Sequence, residues 1–117
     1  MRRFVPVLAV LLAACGSPAP APSYTVLDRH GPLVFMLMSP AMPMQAESWR
    51  RAVRQACGDA DICNVKIWTD PSRAAQGFPM TDLEASAIEA AYLVNRATGA
   101  DGFICHPFGE ITQRCAK

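Results

Sequence analysis

Apolar and polar positions divide the chain into segments of different period. Leu33 to Met38, "LVFMLM", is six apolar residues in a row. A run with no polar side predicts a strand covered on both faces or lying at a sheet centre. Pro40 and Pro43 end it. From about Met44 to Cys57 the period becomes helical. Ala46, Trp49, Ala52, Val53 and Ala56 share one face, Glu47, Arg50, Arg51, Arg54 and Gln55 the other, and Gly58 supplies the stop. Asn64 to Asp70, "NVKIWTD", alternates and is rich in β-branched and aromatic residues, which predicts a second strand. "PSRAAQGFP" then reads as a loop. Thr81 and Glu84 form a capping-box pattern that predicts a helix running to about Thr98 and closed by Gly99. Its inner face, centred on Leu83, Ala87, Ala90, Ala91 and Val94, is small enough to approach a sheet closely. "GFICH" and "EITQRC" predict two short strands joined around Pro107 to Gly109.

The resulting fold class is α/β: a small two-layer sandwich of order β-α-β-α-β(β), with the helices on one face of the sheet. Right-handed crossovers make the first pairings parallel, and the terminal segment adds an antiparallel edge.

Ahead of this domain the pattern changes. Met1, Arg2 and Arg3 precede an almost unbroken apolar stretch from Phe4 to Ala14. That is the order of an export signal. The stretch falls short of the roughly 20 apolar residues that a spanning helix needs, and Gly16, Ser17 and repeated prolines follow it. Leu12, Ala13, Ala14 and Cys15 resemble the lipobox of bacterial lipoproteins. The resemblance implies cleavage before Cys15, a thioether link from its sulfur to diacylglycerol, and acylation of the new amino group. Gly16 and Ser17, standing where an aspartate would retain such a protein, resemble the outer-membrane sorting pattern of enterobacteria-like hosts. The expected layout is a signal peptide over 1–14, a lipidated cysteine with a Pro/Ala linker over 15–23, and one globular domain over 24–117. The resemblance implies a place in the cell envelope, tethered without spanning and facing the periplasm, and lipid chains hold such an anchor by about 0.8 kcal/mol per buried methylene. "SPAPAPS" favours an extended, semi-rigid spacer.

Charge then excludes one partner. Of eleven basic residues, Arg2 and Arg3 fall in the leader, which leaves nine against ten acidic ones, a formal charge of −1. A near-neutral exported domain carries no electrostatic footprint for nucleic acid. The expected partners are the membrane, through the lipid, and an envelope protein or cell-wall component.

Lipid on Cys15 also makes the cysteine count even. Cys57, Cys63, Cys105 and Cys115 allow three pairings, and in an oxidising compartment they most simply form two bridges. The local pairs, Cys57 with Cys63 and Cys105 with Cys115, each enclose a turn and contribute roughly 2.4 and 2.8 kcal/mol by chain entropy. A zinc site wants thiolates at spacings such as Cys-x-x-Cys, which this chain lacks. The stretch from Cys63 to Ala85, with its Cys-x-Val, Trp-x-Asp and Pro-Met-Thr-Asp series, resembles small exported proteobacterial proteins of unknown function. That resemblance implies no activity.

Candidate chemistry is sparse. His30 and His106 are the two histidines. His106 adjoins Cys105, but neighbours on a strand point to opposite faces, and a bridged cysteine is no nucleophile. Asp59 with Asp61 reads as a turn, Glu84 with Glu89 as a solvated helix face, and Asp70 before Pro71 as a turn former. Arg50, Arg51 and Arg54 form a basic stripe partly neutralised by Glu47, which can pair with Arg51 four residues on. The stripe is either solvated or in contact with an anionic partner such as phospholipid headgroups. The unusual cluster is "FMLMSPAMPM", which holds Met36, Met38, Met42 and Met44. Met36 and Met38 on a strand point the same way, and paired thioethers suit Cu(I), with His30 upstream as a further ligand. Methionines in the most apolar segment are also natural core fillers. The expectation is therefore a non-catalytic, lipid-anchored envelope protein that binds or supports another component without a cofactor. A periplasmic Cu(I)-binding module is the alternative.

Overall fold

The computed structural model describes residues 23–109 and Cys115. The expected signal peptide, the lipobox-like stretch with Cys15, the Pro/Ala segment up to residue 22 and most of "EITQRC" lie outside the described residues.

The apolar run does become a strand, but it has a partner that the sequence reading omitted. β1 (Tyr24–His30) folds back antiparallel onto β2 (Leu33–Met38), with His30 opposite Leu33. The turn between them is Gly31-Pro32, and Gly31 has φ 62°. A two-residue hairpin of this kind calls for glycine at its first central position. The chain then crosses through α1 (Ala46–Cys57) to β3 (Ile62–Trp68), which runs parallel to β2. This first parallel pairing is as expected.

The next expectation fails. The capping box forms in full, with Glu84 N donating to Thr81 Oγ1 at 3.1 Å and Thr81 N donating to Glu84 Oε1 at 2.8 Å. The helix it opens, α2, stops after Asp82–Ser86. Residues expected to continue it form β4 (Ala90–Asn95), antiparallel to β3, and Ala100–Cys105 returns as β5, antiparallel to β4. The physical reason lies in "AAYLV", residues 90–94. Its apolar spacing fits a helix face, but five apolar residues in a row with aromatic and β-branched members also suit a strand, and the strand buries both of its sides. Gly99, expected as a helix stop, has φ 81° and closes the β4–β5 hairpin, where Gly99 N donates to Asn95 O at 2.9 Å. Helix ends and hairpin loops use the same left-handed glycine.

The sheet is thus five-stranded and mixed, in the order β1-β2-β3-β4-β5. Its two faces are covered differently, which corrects the expectation of helices on one side. On one face α1 presents Trp49, Ala52, Val53 and Ala56 to Val34, Met36, Met38, Val65, Ile67 and Tyr92. All of them are buried, and burying a large apolar side chain contributes about 1.5–3 kcal/mol. On the other face Phe35 and Trp68 are covered by Ala74 and Ala75 of the 69–81 loop, with Met80, Ala87 and Ile88 packed alongside. Leu83, expected on the inner helix face, is 81% exposed.

The cysteines pair locally: Cys57 with Cys63, tying the end of α1 to β3, and Cys105 with Cys115, tying β5 to the chain's last segment. Among the described residues no helix is long and apolar enough to cross a membrane.

Candidate functional site

The strongest polar and aromatic constellation lies where α1 meets the β4–β5 edge. Alternation along β4 and β5 puts Tyr92, Asp101 and Phe103 on the α1 face, because Tyr92 pairs with Phe103 and Val94 with Asp101. A bulge follows, and Ile104 within it is 51% exposed. One extra residue re-aims the strand as a bulge usually does.

The network is closed electrostatically. The Tyr92 hydroxyl donates to Asp101 Oδ1, and Arg54 Nη2 donates to Asp101 Oδ2 at 3.1 Å. The bond from Tyr92 above all, with Arg54 beside it, holds the Asp101 carboxyl below the usual carboxylate range. Burial first, then the bond to Asp101, pushes the Tyr92 phenol up. The charge of Asp101 raises Arg54 further above its ordinary value. Each carboxylate oxygen therefore has a donor, and the set orders the surface instead of offering a free acid or base.

Beside it the rings form a continuous patch. Phe103 meets Tyr92 edge-on at 4.8 Å, His106 at 5.5 Å and Phe108 at 5.4 Å, while Phe108 meets the buried Trp49 edge-on at 4.9 Å. Arg50 lies over the Phe103 ring at 5.7 Å and is held there by Glu47 at 2.9 Å. His106 accepts the Phe108 backbone N–H on Nδ1 at 3.2 Å. Tyr92, Phe108 and Trp49 are buried, so what reaches the surface is Arg50 over the partly buried Phe103, with His106 beside it, and arginine with aromatic rings is a composition that protein-binding surfaces favour. Just beyond, a groove of about 440 Å³ runs between Arg54, Cys57, Val94, Arg96, Gly99 and Asp101.

The residues singled out from sequence are scattered. Glu47 pairs with Arg50, not with Arg51, which corrects the expected pair. Met36 and Met38 point the same way as expected and are buried in the core at 0% and 1% exposure. Met42 packs against that core from its edge, and Met44 is 58% exposed. His30 stands at the hairpin end of β1 on the other sheet face, stacked on Phe78 at 4.4 Å. Met38 lies five residues from the Leu33 that pairs with His30, about 17 Å along the strand. The structure therefore does not bring His30 and the methionines together. Asp59 and Asp61 are exposed in the bend after α1. Asp70 accepts from both Ser72 N and Ser72 Oγ, the expected turn, and those bonds hold its carboxyl low. Glu89 lies outside α2, and its N–H donates to Ile67 O, so the expected helix face shared with Glu84 does not form. Tyr92, Asp101, Phe103 and Phe108 escaped the sequence reading. The signal lies in Asp101-Gly102-Phe103, which alternates like a strand, but its partner segment carries helical spacing.

Compared with family models, curated proteins and solved structures, the chain matches none of them.

Proposed function

We propose that this chain is a bacterial lipoprotein anchored through Cys15 to the periplasmic side of the envelope, on the outer membrane, and that its domain is a non-catalytic binding module. The observation that carries the reading is the cysteine pairing. The four domain cysteines are bridged to one another, as befits an oxidising compartment, and Cys15, the last residue of the lipobox-like stretch, is left out of both bridges. The contact surface is the α1–β5 face around Arg50, Phe103 and His106. Its partner is an envelope protein, since stacked arginine and rings with a closed ion network suit protein recognition better than chemistry.

Mass spectrometry of the full chain extracted from bacterial membranes tests the anchor. The reading expects a diacylglyceryl group and an acyl chain on Cys15, and loss of membrane retention in Cys15→Ala. A bare, uncleaved N-terminus sinks it. In vivo crosslinking from the α1–β5 face tests the surface: one stoichiometric envelope partner is expected for the wild-type chain, and Phe103→Ser should abolish the crosslink while the domain stays folded.

A further inference from the structure

The three arginines of α1 have different fates. Arg50 is paired with Glu47 and Arg54 with Asp101. Arg51 is exposed and makes no ion pair among the described residues. It lines a groove of about 390 Å³ with Tyr24, Met42, Pro43, Ser48 and Gln55. The Tyr24 hydroxyl donates to Gln55 Oε1 there at 3.1 Å.

The groove adjoins an apolar loop that is built to hold its shape. Met42 N donates to Ser39 O at 3.0 Å, Ala41 N to Ser39 Oγ at 3.1 Å and Gln45 N to Pro43 O at 2.8 Å. Met42 packs inward while Pro40, Ala41, Pro43 and Met44 are exposed. Ser39 N donates to Ser23 O at 2.9 Å, which fastens this loop to the point where the N-terminal tether reaches the domain.

Tether length turns this adjacency into an orientation. Ser23 is the eighth residue after Cys15, so the tether reaches at most about 28 Å. A domain of this size is about 30 Å across. The tether is too short to pass halfway round it, so the opposite pole is kept away from the surface that holds Cys15 and the pole carrying Ser23 stays near it. That pole presents prolines, an exposed methionine and an arginine with no ion pair among the described residues. The β3–β4 side of the same pole carries Glu89 and the ion-paired Asp70 and Arg73.

We propose that the Pro40–Met44 loop and the Arg51 groove form a membrane-resting face for an anionic phospholipid surface. Met44 and its neighbours enter the headgroup boundary, and Arg51 meets a lipid phosphate. The proposal rests on the lipid-anchored reading of Cys15. The α1–β5 face is then left free at the side of the domain.

Amide hydrogen exchange of the full chain, reconstituted in vesicles of phosphatidylethanolamine with phosphatidylglycerol, tests it. Slowed exchange over residues 41–48 is expected, with the opposite pole at residues 96–99 unchanged. Arg51→Gln should reduce the protection about fivefold, the usual effect of one basic residue at an anionic surface, and Arg51→Lys should restore most of it. Met44→Asp should remove it. Both positions are exposed, so circular dichroism should show folded variants. Protection confined to residues 96–99, equal protection on phosphatidylcholine vesicles, or none anywhere would overturn the proposal. The mass of Cys15 in the same sample decides the anchor separately, so the two failures are distinguishable.

Discussion

The two faces of the sheet are covered by different means. On the α1 face a twelve-residue helix lays a stripe of Trp49, Ala52, Val53 and Ala56 over strand side chains that alternate toward it. On the opposite face the irregular segments before and after a five-residue helix, which itself has no buried residue, cover Phe35 and Trp68. There the cover is fastened by particular bonds: Phe78 N to Asp28 Oδ2 at 3.0 Å, and Trp68 Nε1 to the Glu84 carbonyl at 2.8 Å. A bulge after Val26 makes the first of these possible, since it turns both Leu27 and Asp28 toward this side. One face is held by continuous apolar area and the other by a smaller area with a few directional contacts. Regions of the second kind open locally at lower free energy than the whole fold.

The largest expected effect tests the first face. Trp49 is 1% exposed, and its Nε1 has no hydrogen-bond partner among the described residues, so the ring's contribution there is packing. Trp49→Ala should lower global stability by about 3–5 kcal/mol, a large share of what a small domain possesses. Chemical denaturation with the disulfides intact measures it. A loss under about 1.5 kcal/mol would mean that α1 is not the principal cover.

Trp68→Phe probes the second face more gently. It keeps the ring in the pocket but leaves the Glu84 carbonyl without its donor, a cost of about 1–2 kcal/mol. The comparison requires this cost to appear as faster amide exchange over residues 69–88 with α1 little changed. Equal loss of protection in α1 would show that the two faces open as one unit.

A third change sharpens how the β5 edge is held to the α1 face. Tyr92→Phe removes the donor that does most to depress the Asp101 carboxyl, and should destabilise by about 1 kcal/mol at neutral pH. The sign of the pH effect follows from linkage. A carboxyl whose folded value lies below its unfolded one contributes stability above pH about 4, and that stability is lost as the pH falls through the folded value. Tyr92 works in the opposite range: its raised phenol contributes below pH about 10, and this is lost as the pH rises through the folded value. Denaturation midpoints from acid to alkaline pH should therefore show both limbs flattened in Tyr92→Phe. Unchanged limbs would place the pH dependence elsewhere.

How much of this was legible follows the same division. The α1 stripe could be read because a helix facing one sheet keeps a single period, and the four cysteines paired as local spacing suggested. β1 was missed because "YTVLDRH" carries two charges near its end and follows a proline-rich tether, so that only its partner β2 looked like a strand. The segment 82–98 was misread because alanine at helical spacing is equally at home in a strand with both faces covered. The candidate surface was invisible for that reason: Tyr92, Asp101 and Phe103 meet only through cross-strand register.

The smallest expected effect separates the two readings of that segment. In a helix running to Thr98, Leu83 would sit on the buried stripe, and truncating it would cost about 2–5 kcal/mol. In this fold α2 ends at Ser86 and Leu83 projects from it almost fully exposed, with no core beneath it. The capping box, not the leucine, holds the short helix in place. Leu83→Ala should therefore change stability by no more than about 0.5 kcal/mol, as surface substitutions usually do. Thr81→Ala, which removes the cap, should cost about 1 kcal/mol. An inverted order, with the leucine costing more than the cap, would restore the long helix and break the contrast between the faces, because a regular element would then cover both.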